Sequence, residues 1–93
     1  MPNSQPNEPC LFTMKRIGLT VHPHDNVTTL LDFQVDATQT HDGQPVASGI
    51  PFGHKAALRP IACGESIIKY GVVIGIATAD IGTGEHVHVH NCQ

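Results

Sequence analysis

Apolar and polar side chains alternate strictly near the end of the chain, where the sequence reads His-Val-His-Val-His. Such alternation is typical of a half-buried β-strand, in which successive side chains point to opposite faces of a sheet. The pattern predicts a strand over residues 86–90, with Val87 and Val89 facing a core. Three imidazoles would then stand in a row on the other face: His86, His88 and His90.

Shorter apolar runs predict the remaining strands. The run over 27–33 fits either a strand or a short helix, because periodicity does not separate the two over so few residues. The run over 72–77 is almost wholly apolar and is therefore predicted to be the most buried strand. Further strands are predicted at 15–21, 54–58 and Ser66–Lys69.

The segments 50–53, 61–64 and 81–84 all read Ile-x-x-Gly, and the last two continue with Glu. This pattern predicts a buried Ile, a tight turn that uses the backbone freedom of Gly, and an exit into a strand. Residues 36–48 are polar and contain Asp42-Gly43, which predicts a surface loop. Nine Gly and seven Pro in 93 residues indicate a turn-rich, all-β domain.

Composition limits the classes of function. With 93 residues the chain is expected to form one domain over 13–93, preceded by a flexible tail over 1–12. A net charge of −3 without a basic run argues against nucleic acid and against an anionic membrane surface. No apolar run is long enough to span a bilayer, and the start of the chain has no signal-peptide pattern. Three cysteines outside any CxxC motif are read as reduced thiols, which predicts a cytoplasmic protein.

The histidine row predicts a metal site. Neighbouring imidazoles on one strand face start from Cα atoms about 6.5–7 Å apart and can converge on one ion, with bonds near 2.1 Å. His86 and His90 would be about 13 Å apart on a regular strand, too far for one ion. The sequence therefore leaves two pairs open, His86/His88 and His88/His90, with His88 common to both. A solvated strand face with no ligand role is the competing interpretation.

Other polar residues are weaker candidates. His22 and His24, on either side of Pro23, could complete a metal site, but exposed loop histidines usually bind nothing. Cys92 could be a ligand, although a bystander thiol is the more common case. Cations beside a metal site would suit an anionic substrate, and two lysines follow or precede predicted turns: Lys55 and Lys69.

Taken together, these motifs resemble the N-terminal SAF domain of the altronate/galactarate dehydratase (UxaA-type) family. The resemblance is nearly continuous from about Ile50 to Asn91, and the segment from His22 to Leu31 resembles the family's opening strand. It is carried by GHKAAL at 53–58, IACGE at 61–65, IIKYGVVIG at 67–75, ATADI at 77–81 and GEHVHVHN at 84–91. It implies a β-clip fold of short strands and hairpins.

The resemblance also implies a function. This chain would be the small subunit, or an isolated domain, of a sugar-acid dehydratase that eliminates water from a hydroxy-acid carboxylate. A divalent metal, Fe2+ or Mn2+, and a separate large catalytic subunit are implied, so the chain alone is expected to be inactive. A homo-oligomer is a further possibility for the isolated chain.

Three alternatives stay open. A related enzyme, (2R)-sulfolactate sulfo-lyase, eliminates sulfite instead of water. SAF-type modules without enzymatic activity bind carbohydrate or assist assembly. A third alternative is a structural adaptor that only orders the large subunit.

Roles are carried over from the family by matching motifs. The resemblance implies catalytic roles for His88, His86 and His54, and metal binding by His86, His88 and His90. It implies contacts with an anionic substrate for Lys55, Lys69, Tyr70 and Asn91. The loop over 32–49 does not match the family, so substrate specificity does not follow from it.

Overall fold

The computed structural model describes residues 14–93, so the tail predicted over 1–12 lies outside the described residues. All regular elements in this part of the chain are β-strands, which confirms the all-β prediction. They are β1 (Gly18–Leu19), β2 (Val27–Leu30), β3 (Lys55–Ala57), β4 (Ser66–Lys69), β5 (Val72–Ile76) and β6 (His86–Val87). Between residues 14 and 93 there is no helix of the length and apolar character that crossing a membrane requires.

The strands form two antiparallel sheets. One sheet has the order β1-β2-β3-β6, and the other consists of β4 and β5. The run over 27–33, ambiguous in sequence, forms the central strand β2, all four residues of which are buried. Its β-branched residues Val27, Thr28 and Thr29 suit such a position.

The core lies on both faces of β3. Ala56 packs with a cluster formed with Leu30, Val46 and Ile50. Its neighbour Ala57 points to the opposite face, as alternation along a strand requires. There it joins a larger cluster: Val27, Ile61, Ile67, Ala77, Ile81 and Val87.

The three Ile-x-x-Gly motifs form equivalent turns, as predicted. Gly53, Gly64 and Gly84 have φ of 83°, 88° and 83°, and the N–H that follows each donates to the carbonyl three residues earlier. This is the geometry of a type II turn, whose third residue needs a positive φ. The isoleucines of all three motifs are buried: Ile50, Ile61 and Ile81.

Each turn is joined to a strand or bridge residue by the same pair of backbone hydrogen bonds. In each turn the Gly N–H donates to the carbonyl of a partner residue. The N–H of that partner donates in return to the carbonyl of the residue that follows the Gly. The partners are Leu30 for Gly53, Ala77 for Gly64 and Ala57 for Gly84. The sequence repeat is therefore a structural repeat of a turn and its hydrogen-bonding partner.

Two predicted elements are wrong in part. The run over 72–77, predicted to be the most buried strand, forms β5, in which every residue except Gly75 is exposed. It pairs only with β4, so neither of its faces is covered by a second sheet. The loop over 36–48 is not wholly at the surface, because Ala37, Thr40 and Val46 are buried.

A buried guanidinium connects that loop region to the first turn. The Arg16 side chain is fully buried and pairs with the Asp32 carboxylate at 2.9 Å. It also donates to the backbone carbonyls of Asp32 and Ile50. Since Ile50 begins the turn that ends at Gly53, this contact fixes the turn relative to β1 and β2.

Candidate metal-binding site

Three histidines converge at one end of the four-stranded sheet. One ring nitrogen from each of His54, His86 and His88 lies within 4.8 Å of the other two. His54 Nδ1 is 2.8 Å from His86 Nε2, and the rings of His54 and His88 are stacked with centroids 3.9 Å apart. All three side chains are half-buried. We refer to His54, His86 and His88 as the histidine trio.

Antiparallel pairing accounts for two members of the trio. His54 leaves the first turn and leads directly into β3. On β3, Ala56 is paired with His86 of β6, and Lys55 is paired with Val87. Continuing this register by one pair places His54 opposite His88, just past the end of β6, so that these two rings stack. His86 lies two residues before His88 on the same face of the sheet.

The chain after β6 forms a turn that the sequence pattern did not predict. The strand predicted over 86–90 ends at Val87, and Val89 is 82% exposed and does not face a core. The Asn91 N–H donates to the His88 carbonyl at 3.1 Å, which closes a turn over 88–91. As a result the three histidines near the end of the chain do not form a straight row, and the prediction of a regular strand is wrong there.

The Asn91 side chain holds this turn in place. Its Oδ1 accepts the His88 N–H at 3.0 Å, and its Nδ2 donates to the His86 carbonyl at 2.8 Å. The residue is only 8% exposed. These contacts join the backbones of two trio members, so Asn91 positions their imidazoles. The substrate contact expected for Asn91 stays a prediction.

The turn also changes the spacing argument for His90. The distance of about 13 Å between His86 and His90 holds only on an extended strand. In the structure their ring centroids are 5.2 Å apart, because the chain folds back after Val87. The trio nevertheless consists of the pair His86/His88 together with His54, and His90 lies at its border.

Pro51 explains why the His54 ring contacts other imidazoles and not an N–H group of its own turn. In the two other turns, Glu65 Oε1 accepts the Ala62 N–H at 2.9 Å and Glu85 Oε1 accepts the Gly82 N–H at 2.8 Å. Pro51 occupies the corresponding position of the first turn and has no N–H to donate. The side chain at position 54 therefore has no donor in its own turn and is directed to the other imidazoles.

The environment favours neutral imidazoles. Burial lowers the pKa of His86, and the nearby His54, His90, His88 and Lys55 lower it further. The pKa of His88 is lowered by desolvation and then by His54, Lys55 and His90. A neutral imidazole presents the lone pair that a metal ligand or a proton acceptor needs.

The geometry and donor set fit a divalent transition metal. If two imidazole nitrogens bind one ion with bonds of about 2.1 Å and a right angle at the ion, they are about 3 Å apart. The separation of 2.8 Å between His54 Nδ1 and His86 Nε2 is close to that value. Imidazole is a suitable ligand for iron and its neighbours in the first transition row.

The structure places the remaining predicted residues at two separate locations. Lys55 is next to the trio in the sheet, since it follows His54 directly and is paired with Val87, the residue between His86 and His88. Lys69 and Tyr70 lie at the β4–β5 turn, where Lys69 Nζ is 4.9 Å from the centre of the Tyr70 ring. The following N–H, that of Gly71, donates to Asp25 at 2.8 Å.

That second location is remote from the trio. Asp25 precedes β2, whereas His54 accepts a hydrogen bond from Leu30 at the end of β2. The length of β2, about 13 Å, therefore lies between the two locations. The structure does not bring Lys69 or Tyr70 to the trio.

His22 and His24 also lie at the remote location, with ring centroids 5.0 Å apart. The structure does not bring them to the trio. Cys92 packs against Gly75 of β5, so its thiol does not join the trio either.

An exposed aromatic pair near the trio was not predicted from sequence. The rings of Phe33 and Phe52 are stacked with centroids 5.0 Å apart, and they are 79% and 50% exposed. Phe52 lies two residues before His54 in the same turn. No periodicity indicated this contact, because Phe33 and Phe52 belong to different irregular segments.

Comparison with known proteins gives a consistent family. The altronate/galactarate dehydratase SAF domain matches residues 17–93. The chain is 43% identical over 78 residues to altronate dehydratase of Escherichia coli (strain K12), an alignment that covers 81% of this chain and 16% of that protein.

Shorter relatives match over smaller segments. The (2R)-sulfolactate sulfo-lyase subunit alpha of Chromohalobacter salexigens is 54% identical over 48 residues, which cover 52% of this chain and 51% of that subunit. The subunit of the same name from Paracoccus pantotrophus is 48% identical over 44 residues, 47% of this chain and 66% of that subunit. This chain thus spans a minor part of the altronate dehydratase and about half to two thirds of the sulfo-lyase subunits.

Proposed function

The chain belongs to the altronate/galactarate dehydratase SAF domain family, and from this premise we propose that it is the small, metal-binding component of a hydroxy-acid lyase. Its reaction would be the elimination of water from a sugar-acid carboxylate. A separate large subunit would supply the rest of the active site. The observation that carries the proposal is the convergence of three ring nitrogens within 4.8 Å on a domain of this family.

In this proposal His54, His86 and His88 hold one divalent cation, Fe2+ or Mn2+. The bound ion would polarise the oxygens of the hydroxy acid and stabilise the enolate-like charge that forms beside the carboxylate. The lowered pKa values of His86 and His88 keep these ligands neutral at pH 7. Asn91 holds the backbones of His86 and His88 together.

Lys55 is the cation that suits the substrate carboxylate, because it lies on β3 next to the trio. An ammonium group pairs with a carboxylate as a point charge and lowers the cost of bringing an anion to the site. Lys69 and Tyr70 would not contact the same substrate molecule within this chain, since they lie beyond the other end of β2.

Elimination also needs a base that removes the proton from the carbon next to the carboxylate and an acid that protonates the leaving hydroxyl. The electron pair of the broken C–H bond forms the carbon–carbon double bond as the C–O bond breaks. His90 borders the trio and is a candidate for the proton donor. We assign the main base to the large subunit, because the domain matches only 16% of the altronate dehydratase.

A second candidate is the alpha subunit of a sulfo-lyase, in which sulfite leaves instead of water. The share of each relative's length that is matched favours this candidate. The matched segment is 51% and 66% of the two sulfo-lyase subunits but only 16% of the altronate dehydratase. The name subunit alpha also implies a partner subunit in those enzymes. The same trio and Lys55 would serve a sulfonated hydroxy acid, because both reactions begin at a carbon beside a carboxylate.

The test is reconstitution with the large subunit expressed from the same genome. Elimination from altronate, galactarate and (2R)-sulfolactate would be followed with each chain alone and with both chains mixed. We expect turnover only in the mixture, and a loss of about ten-fold or more in His88→Ala. His24→Ala, at the remote end of β2, is the matched control and should leave the rate unchanged.

Two outcomes would contradict the proposal. A large subunit that works at full rate without this chain would exclude a catalytic contribution. A mixture in which His88→Ala assembles and turns over like the wild type would leave only the role of a structural adaptor.

A further inference from the structure

Strand β5 is an exposed apolar edge. Its side chains Val72, Val73, Ile74 and Ile76 are 58%, 60%, 41% and 42% exposed. The strand pairs on one side with β4, and these two strands form a sheet by themselves. Two-stranded ribbons are marginally stable in water, and an apolar edge strand without charge or proline offers its backbone to another strand. The sequence Val-Val-Ile-Gly-Ile contains neither protective feature.

The other edge of this sheet is already covered. Asn26 makes three hydrogen bonds along the outer side of β4. Its backbone N–H donates to the Ile68 carbonyl, and its Oδ1 accepts the Ile68 N–H. Its Nδ2 donates to the Ser66 carbonyl. On the β5 side, residues 14–93 cover only the end of the strand, where Ile76 and Gln93 exchange two backbone hydrogen bonds of 2.9 and 3.0 Å. The open part of the edge therefore lies between Val72 and Gly75.

The register identifies the residue at the centre of the open edge. Ile68 is paired with Val73, and a β-bulge leaves Ile74 without a direct partner. In an antiparallel pair, opposite residues either exchange both of their hydrogen bonds or direct both groups away from each other. Ile68 directs its N–H and C=O to Asn26. Val73 therefore directs its own N–H and C=O away from β4, to the open edge.

We propose that two copies of this chain associate through β5, which pairs antiparallel with β5 of the second copy about a two-fold axis at Val73. Val73 exchanges two backbone hydrogen bonds with Val73 of the second copy, and Val72 lies opposite Ile74. The product is a continuous four-stranded sheet of order β4-β5-β5-β4. The inference does not depend on the metal site.

The sequence of β5 favours a second copy as the occupant. A two-fold interface brings the same residues together, so it is favourable only if the segment is complementary to itself. A strand of Val, Ile and Gly meets this condition, because apolar side chains face apolar side chains and no like charges are opposed. A short strand interface falls in the class below about 1,200 Å2 of buried area, for which we expect a dissociation constant between about 1 and 100 µM.

The experiment is sedimentation analysis of the purified chain from about 1 µM to 1 mM, which brackets that range. Wild type is expected to shift from monomer to dimer. Val73→Lys opposes two ammonium groups across the axis and should weaken the dimer at least about ten-fold. Val21→Lys is the matched control, because Val21 is equally exposed at 60% but lies outside β5.

A charge exchange tests the two-fold axis itself. Val73→Lys and Val73→Glu should each be monomeric, and their equimolar mixture should dimerise, because position 73 faces itself. Recovery in the mixture also excludes misfolding as the reason for the loss. The proposal is overturned if wild type stays monomeric at the highest concentration, if Val21→Lys weakens the dimer as much as Val73→Lys, or if the mixture stays monomeric.

Discussion

The Asn91 amide connects the backbones of His86 and His88. Asn91→Ala would leave a buried carbonyl and a buried N–H without partners, which costs about 1–3 kcal/mol of unfolding free energy. Because the turn over 88–91 would loosen, we also expect the affinity for Mn2+ to fall about ten-fold or more. Urea unfolding and calorimetric metal titration measure the two effects.

Asn91→Asp is the matched comparison for this prediction. It retains the acceptor for the His88 N–H and loses the donor to the His86 carbonyl, so its effect on Mn2+ affinity should be intermediate. A stability loss without any change of metal affinity in Asn91→Ala would show that the amide does not position the imidazoles.

The buried pair Arg16 and Asp32 predicts a dependence of stability on acid. Burial alone would raise the pKa of Asp32, but N–H groups of Ile17 and Gln34 and the Arg16 guanidinium outweigh it and hold the pKa below the usual value of 3.8. The unfolded chain therefore binds the proton more readily. The stability from this carboxylate is present above pH 3.8 and is lost as the pH falls through the lower, folded-state pKa.

Unfolding in urea between about pH 5 and pH 2 would reveal this loss. We expect a shallower dependence on pH in Asp32→Asn, which also has lower stability throughout because Arg16 loses its buried partner. An equally steep dependence in Asp32→Asn would assign the acid sensitivity to other groups.

At the scale of elements, the three turns predict a coupling between positions 51 and 54. Glu in place of His54 would find no donor at Pro51, whereas Glu65 and Glu85 accept an N–H from their own turns. Pro51→Ala supplies that N–H. The unfolding free energy of the double variant Pro51→Ala, His54→Glu should therefore exceed, by about 0.5–1.5 kcal/mol, the value obtained by adding the changes of the two single variants.

A double-mutant cycle by urea unfolding measures this coupling. A value near zero would mean that the first turn is not equivalent to the other two. In that case Pro51 would not be the reason that His54 is available to the trio.

The turn glycines provide a second comparison of elements. Gly64 and Gly84 both have a positive φ, of 88° and 83°, which an L-alanine adopts only under strain. A Cβ on Gly64 would meet nothing within 4 Å, whereas a Cβ on Gly84 would lie 2.6 Å from the Pro45 carbonyl oxygen. Gly64→Ala should cost about 1–2 kcal/mol, and Gly84→Ala clearly more. Equal losses in thermal or urea unfolding would contradict the close packing of the 32–49 loop on this turn.

Much of the element pattern follows from local sequence. The Ile-x-x-Gly motifs predicted the three turns because a positive φ and a buried Ile are requirements of a few adjacent residues. The exposure of β5 and the end of β6 at Val87 did not follow from the sequence. Burial depends on what packs against a strand. The length of β6 depends on its pairing with β3, which is distant in the chain, and on the turn that Asn91 closes just after the strand.

The candidate site, too, could be predicted from the sequence only in part. The alternation of His and Val drew attention to two members of the trio, His86 and His88, whereas His54 belongs to a different part of the sequence. The role of Pro51 was missed because it appears only when the three turns are compared as structures. The separation of Lys69 and Tyr70 from the trio is a consequence of topology, since β2 lies between them.

At the scale of the whole molecule, the chain carries two separate surfaces. The trio, Lys55 and the exposed pair Phe33/Phe52 lie at one end of the four-stranded sheet, and the open edge of β5 belongs to the two-stranded sheet. The first surface suits contact with a large subunit around a metal ion. The second suits association with another copy. A dimer through β5 would thus leave both metal sites accessible to large subunits.

The most direct test of the central claim, that the trio holds one divalent ion, is X-ray absorption spectroscopy of the chain loaded with Mn2+, or with Fe2+ without oxygen. We expect a coordination shell with about three imidazole nitrogens, completed by oxygen ligands. In His54→Ala the number of imidazoles should fall by one, while His24→Ala should give the wild-type spectrum. An all-oxygen shell, or a spectrum that does not change in His54→Ala, would show that the trio does not hold the ion.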